Sequence, residues 1–244
     1  MRVAALWGGG KDGYTAYHKV IEQGHHVAYL LTCVYLEPYI FHSSLISELG
    51  AKALGTPQIK FKVKDVNRMY QAWFEVFARL KKEEGIEGIV TGDIDSVDHK
   101  RAWEDMSSKF GMKVIMPLWD RPPYPGNRYR ERVLNMELST GMKAIINCVD
   151  LKYFGEEWLG REFDRACVED MKPLVGRPGA GIDATGEPGE FHTTVLDAPL
   201  FKEAIEITKF SKKSRVVDYG GSPNPTGNFC YMDIEEAVRK LKNR

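Results

Sequence analysis

Six consecutive residues near the start of the chain, Gly8-Gly9-Gly10-Lys11-Asp12-Gly13, combine four glycines, a cation and a carboxylate directly after the apolar run "VAALW". Glycines let backbone N–H groups approach a phosphate closely, and a lysine beside them can neutralise charge developing on a leaving group. The pattern departs from a Walker loop, which needs G-x-x-x-x-G-K-[ST]. Aligned on Gly10-Lys11, Ala5 stands where the first glycine belongs and Asp12 where the hydroxyl residue belongs. A shorter loop fits better, one whose N–H groups wrap a pyrophosphate with help from the positive end of the next helix. In that reading Lys11 steadies the leaving pyrophosphate and Asp12 either holds Mg²⁺ or turns inward to fix the loop. A glycine-rich turn that merely permits tight packing is the competing account.

Three more stretches carry groups of chemical interest. In "GDIDSVDH", residues 92–99, three acids fall within six positions. Asp93 could hold Mg²⁺ together with Asp12, and Asp95 could orient an amine; the plainer use of such residues is helix capping. "EPYIFHSS", residues 37–44, offers the stacking surfaces of Tyr39 and Phe41 and the titratable ring of His42. "TGEPGEFHT", residues 185–193, places Glu187, Glu190 and His192 in a turn-rich stretch. If residues 190–196 form a strand, Glu190 and His192 share a face. A carboxylate and an imidazole so placed could accept a proton from ammonium or orient the amine; a charged surface turn is the alternative. The basic run "KFSKKSR", residues 209–215, reads as solvated charge.

The elements that must position these residues follow from hydrophobic periodicity. Short apolar strands (3–6, 27–34, 59–63, 88–92 and 113–119) alternate with amphipathic helices (14–23, 41–55, 67–84 and 97–110). Such alternation predicts an α/β fold, a parallel sheet with helices on both faces. Ligands then sit at the carboxyl ends of the strands, near a switch in strand order. Residues 7–13, 32–42, 92–99 and 117–121 occupy those ends. The proline-rich stretch 120–127 reads as a hinge, which divides the chain into residues 1–120 and a smaller α+β unit, 121–244. For that second unit the pattern predicts helices over 130–140 and 162–171, a strand over 143–150, and a terminal amphipathic helix, "DIEEAVRKLK".

Composition narrows the function classes. Thirty-four basic residues balance 34 acidic ones in 244, so no global field argues for nucleic acid or a membrane surface. The four scattered cysteines suit a reducing compartment. With no signal peptide or long apolar span, a cytoplasmic protein is expected. The sequence leaves homo-oligomerisation open.

The glycine loop is similar to the S-G-G-K-D-S loop of the N-type ATP pyrophosphatases, with Gly8 and Gly13 in place of its two serines. More specifically, "EPYIFH", "GDIDSVDHKRAWE", "PLW", "EWLGREFD" and "GEPGEFHT" occur in the order and spacing that resemble the diphthine–ammonia ligase family, or PP-loop ATP-binding family. The resemblance implies a HUP-type, adenine nucleotide alpha hydrolase-like domain followed by a smaller substrate domain. It implies ATP and Mg²⁺, a carboxylate substrate (diphthine on elongation factor 2 is the family's own) and ammonium. The carboxylate would be adenylated with loss of pyrophosphate, and ammonia would then displace AMP. Gly8, Gly9, Gly10, Lys11, Asp12 and Gly13 would cradle phosphate. Leu31 and Thr32 would read adenine through their backbone, with His42, Gly92 and Asp93 beside the nucleotide. Each missing loop hydroxyl forfeits a hydrogen bond worth ~1 kcal/mol. Two other readings stay open: a nucleotide sensor without catalysis, and a tRNA-thiolating enzyme, which typically needs paired cysteines or a basic face that this chain lacks.

Overall fold

The computed structural model describes residues 1–34, 40–120, 129–176, 181–218 and 226–242. Most of the 120–127 hinge, Tyr39 and its neighbours, and parts of the glycine- and proline-rich stretches lie outside them.

The first half is a parallel five-stranded sheet. Its strands are β1 (Arg2–Leu6), β2 (His26–Val34), β3 (Gln58–Lys62), β4 (Gly88–Val90) and β5 (Lys113–Ile115). Helices α1 (Lys11–Glu22), α2 (Ser44–Leu54), α3 (Met69–Glu84) and α4 (Val97–Ser108) alternate with them. The spatial order is β3-β2-β1-β4-β5, all parallel, so the strand order reverses beside β1, which pairs with β2 on one side and β4 on the other. A crevice opens there beyond the strand ends. Local chemistry sets the helix limits. Ser43 and Ser96 accept from the N–H groups of Ile46 and His99 at the starts of α2 and α4, and Gly55 closes α2 in the left-handed region at φ 69°. Helix α1 begins earlier than the periodicity predicts: Gly10 is its N-cap, and Lys11, Asp12 and Gly13 form its first turn.

The second half adds α5 (Glu131–Ser139), α6 (Arg165–Met171) and an antiparallel sheet of β6 (Lys143–Asp150), β7 (Phe191–Asp197), β8 (Glu203–Asp218) and β9 (Thr226–Leu241), ordered β7-β6-β9-β8. Helix α6 starts at Arg165 and not near Glu162, because Asp164 caps it by accepting from Cys167 N–H at 2.8 Å.

The terminal helix expected over "DIEEAVRKLK" is a strand. Residues 226–241 pair with β8 along its whole length, from Asp218–Thr226 to Glu203–Leu241. Charges that read as helical spacing are cross-strand partners instead: Lys209 with Glu235, Lys213 with Asp233, Arg239 with Glu203 and Lys240 with Glu206. Continuous backbone pairing to a neighbouring strand outweighs a weak local helical preference.

One hydrophobic core runs from the α1 and α2 face of the first sheet (Val3, Trp7, Tyr14, Ile46) into the second sheet (Ile146, Val195, Phe201). A separate core fills the α3 and α4 face around Trp73, Phe77 and Met106. Among the described residues no helix is long and apolar enough to cross a membrane.

Candidate active site

At the crevice beyond β1 and β4 lies a cavity of about 710 Å³. One end is polar and is walled by Gly8, Gly10, Lys11, Asp12, Gly13, His42, Glu187, His192 and Thr193; the other, with Met69, Tyr70, Trp73, Trp103 and Met106, is apolar and aromatic. Leu31, Thr32, Gly92 and Asp93 also line it. Four stretches far apart in sequence therefore converge on one space, because three leave adjacent strand ends and β7 brings the fourth.

The loop is built tightly. Gly9 adopts φ 88°, which favours glycine, and its carbonyl accepts from Val195 N–H at 2.9 Å. Lys11 N–H donates to Thr193 Oγ1 at 3.1 Å. A side chain at Gly92 would bring its Cβ to 2.7 Å from the Asp12 carbonyl carbon, so glycine there lets β4 abut the loop. Gly8 has a different reason: a Cβ would lie 2.8 Å from His42 Cδ2, so the His42 ring fills the place of a side chain. At Gly13 the nearest neighbours of a Cβ are Leu6 O at 3.5 Å and Trp7 Cε3 at 3.8 Å, which is ordinary contact.

Lys11 is buried, and its Nζ lies 2.5 Å from Asp12 Oδ1 and 2.9 Å from Glu137 Oε1. Burial works against its charge, but the two carboxylates outweigh it and hold the ammonium above its usual range. Burial pushes the Glu137 carboxyl well up, with the Asp12 carboxyl beside it adding to the effect. Sequence reasoning passed over Glu137. A signal was present: it shares the buried face of α5 with Val133 and Leu134, an acid where an apolar residue belongs.

Asp93 accepts from Trp103 Nε1 at 3.0 Å and from the Thr91 hydroxyl, and its other oxygen meets His99 Nδ1 at 2.8 Å. Burial opposes its ionisation, yet His99 and the other donors hold the carboxyl below its usual range. Glu187 reaches across from the second half, and its Oε1 accepts from the N–H groups of Ile94, Asp95 and Ser96 at 3.1, 3.0 and 3.3 Å. Burial, with Asp12 and Asp93 nearby, pushes Glu187 up to about 7 despite those donors.

The remaining expected residues take other places. Asp95 pairs with Arg130, whose guanidinium also holds buried Asp183 at 2.5 Å, and it does not line the cavity. Glu190 is buried below the turn, where its Oε1 accepts from Asp183 N–H at 2.9 Å, and it too is absent from the lining. His192 does line the cavity, packed against Phe41 and His42 with ring centroids 4.5 and 5.7 Å away. Burial lowers His42 to about 4 and His192 to about 3, which leaves both rings neutral near pH 7. A ring so hard to protonate can take part in hydrogen bonds but is a poor proton acceptor.

Comparison with known proteins matches residues 1–114 to the diphthamide synthase N-terminal domain and residues 131–220 to the diphthamide synthase C-terminal domain. The chain belongs to the diphthamide synthase family. A diphthine–ammonia ligase of Bos taurus is 27% identical over 267 residues, covering 98% of this chain and 94% of the relative. One of Homo sapiens is 26% identical over 85% of this chain and 83% of its own length. A solved structure described as a predicted subunit of a tRNA methyltransferase from Methanocaldococcus jannaschii covers 82% of this chain and 98% of its own, with 15% identity and a TM-score of 0.42. The family resemblance carried by the loop, "GDIDSVDHKRAWE" and "GEPGEFHT" is thus borne out. Within the diphthamide synthase family, Gly8 is the residue that makes room for His42 in this chain.

Proposed function

We propose that this protein is an ATP-dependent amide-forming ligase of the diphthine–ammonia ligase type. Residues 1–120 bind the nucleotide and residues 121–244 present the carboxylate. The observation that carries the reading is the convergence of the glycine loop, the strand end at Gly92 and the 185–193 turn on one cavity at the reversal of strand order.

The cavity's two ends suit the two ends of ATP. Trp73 and Trp103, edge to face at 5.3 Å, give the adenine an aromatic wall, and Leu31 and Thr32 offer backbone at the strand end. The triphosphate lies toward Gly8–Gly13 and the start of α1. Asp12 lines that end with its side chain part-exposed, whereas both oxygens of Asp93 are engaged by protein donors. Asp12 would thus be the residue to hold Mg²⁺, which would supply charge neutralisation for the polyphosphate.

A substrate carboxylate oxygen attacks the α-phosphorus and pyrophosphate leaves; ammonia then attacks the acyl carbon, AMP leaves, and the proton lost from nitrogen passes to solvent. Lys11 and the loop N–H groups stabilise charge on the departing pyrophosphate. Glu187 bridges the two halves and keeps the 94–96 backbone against the nucleotide. Diphthine, for which the relatives are named, is the expected carboxylate, and the family resemblance implies that elongation factor 2 carries it.

The test is product analysis with ATP, Mg²⁺, ammonium and diphthine-bearing elongation factor. Equal amounts of AMP and pyrophosphate are expected, with one amide per AMP. Formation of ADP and phosphate would overturn the adenylate route. Nucleotide binding with no turnover would favour a sensor, which the absent loop hydroxyls at Gly8 and Gly13 would suit.

A further inference from the structure

The seat of the Lys11 ammonium is more elaborate than a lysine needs. Two carboxylates, Asp12 and Glu137, approach Nζ at 2.5 and 2.9 Å. Two aromatic rings complete the enclosure, Phe163 and Phe191, with centroids 5.3 and 5.9 Å from Nζ. Both rings and Glu137 are almost wholly buried. Glu137 Oε2 is buried as well, and among the described residues no donor reaches it. Burial holds the Glu137 carboxyl in its protonated form beside Asp12, so a single cation balances the enclosure, and it is the Lys11 ammonium that fills it.

Lys11 and Asp12 both line the nucleotide cavity. Were Nζ to turn to a bound polyphosphate, it would leave an enclosure lined by two carboxyl groups and two aromatic faces. Its dimensions and acceptors suit an ammonium group, because an ammonium group occupies it in this structure.

We propose that the Asp12–Glu137–Phe163–Phe191 enclosure is the ammonium-binding site of the enzyme, filled by the Lys11 side chain until nucleotide draws it away. The inference rests on the ligase reading above and names where its nitrogen substrate waits. Aromatic faces favour a weakly hydrated monovalent cation through cation–π attraction. Mg²⁺ is reluctant to shed its water and gains nothing from a phenyl ring. Ammonium offers four N–H donors, enough for Asp12, one oxygen of Glu137 and a substrate oxygen.

Kinetics with two nitrogen nucleophiles test the site. Wild type and Glu137→Gln are assayed with ATP, Mg²⁺ and diphthine-bearing elongation factor, using either ammonium chloride or hydroxylamine, which is neutral at pH 7.5. The KM for ammonium should rise about tenfold or more in Glu137→Gln, the loss of one charge-assisted contact. The KM for hydroxylamine should stay within about twofold, since a neutral nucleophile does not need the second carboxylate. Phe163→Leu, which leaves both carboxylates in place, should raise the ammonium KM about threefold with the same selectivity. An equal rise for both nucleophiles would overturn the proposal, because Glu137 would then act only through Lys11. So would an unchanged ammonium KM, or a change confined to the Mg²⁺ requirement. ATP–pyrophosphate exchange without nucleophile separates the two levels of argument. No exchange in the wild type would defeat the ligase reading; exchange with an unmoved ammonium KM would defeat only the ammonium site.

Discussion

Restoring a serine to each loop position should have opposite effects, and the geometry says which is which. At Gly8 a Cβ would fall 2.8 Å from His42 Cδ2 and 3.1 Å from Cγ, so the ring must shift for Gly8→Ser to fit. That ring is confined on its other sides, since a Cβ at Gly10 would lie only 3.0 Å from His42 Cε1, and His192 stands edge-on to it. Overpacking of this kind costs about 1–3 kcal/mol, which corresponds to a melting temperature lower by roughly 2–12 °C for a chain of this size. At Gly13 the nearest contacts are 3.5 and 3.8 Å, and the residue lies in the first turn of α1 with no positive φ. Gly13→Ser should therefore fit, and it gains roughly 0.5 kcal/mol of helix propensity. Its hydroxyl, facing phosphate, adds one hydrogen bond of about 1–2 kcal/mol, a gain of about five- to thirtyfold in ATP affinity. Thermal unfolding without ligand and calorimetric titration with ATP read the two quantities separately. A Gly8→Ser protein that melts with the wild type, or a Gly13→Ser protein that melts below it, would refute the reasoning.

Two other perturbations follow from buried charge. Glu187, raised to about 7, is neutral below that pH and negative above it, next to Asp12 and Asp93. ATP affinity should fall as pH rises through 7, and that slope should flatten in Glu187→Gln when titrated by calorimetry between pH 6 and 8. The same raised value means that folding stability falls as pH rises from the ordinary 4.5 through about 7, a trend that unfolding curves of the Gln variant should lack. Arg130→Ala strips Asp183, 1% exposed, of its guanidinium partner. A loss of about 3–5 kcal/mol in denaturant unfolding is expected.

The parallel sheet was readable because its first four strands are short runs each followed by an amphipathic helix, a local signal that tertiary contacts reinforce. That the loop and Asp93 meet at one edge was readable because α/β topology sends strand ends there, whereas the 185–193 turn is brought to the same cavity by β7. Partnership was much less legible. Asp95 and Glu190 have the composition of site residues, but Arg130 and the Asp183 backbone engage them, and neither partner is adjacent in sequence. Strand β9 was misread because its alternating charges answer to β8, some twenty to forty residues away, and not to their own neighbours. His99 and Glu137 drew no notice for a related reason: each acquires its role only from the residue it meets, Asp93 in one case and Lys11 in the other.

The anchoring of Gly9 and Lys11 by Val195 and Thr193 bears on how such a protein can be rearranged. A phosphate loop that is held only by its own strand and helix can be cut out and grafted onto another substrate module. Here a strand from the far half holds one loop carbonyl and one loop amide, and α5 holds the lysine. A chimera joined near residue 120 would inherit a glycine loop with its fastenings missing, so a change of partner for that loop must come from altering the second half in place rather than from exchanging it.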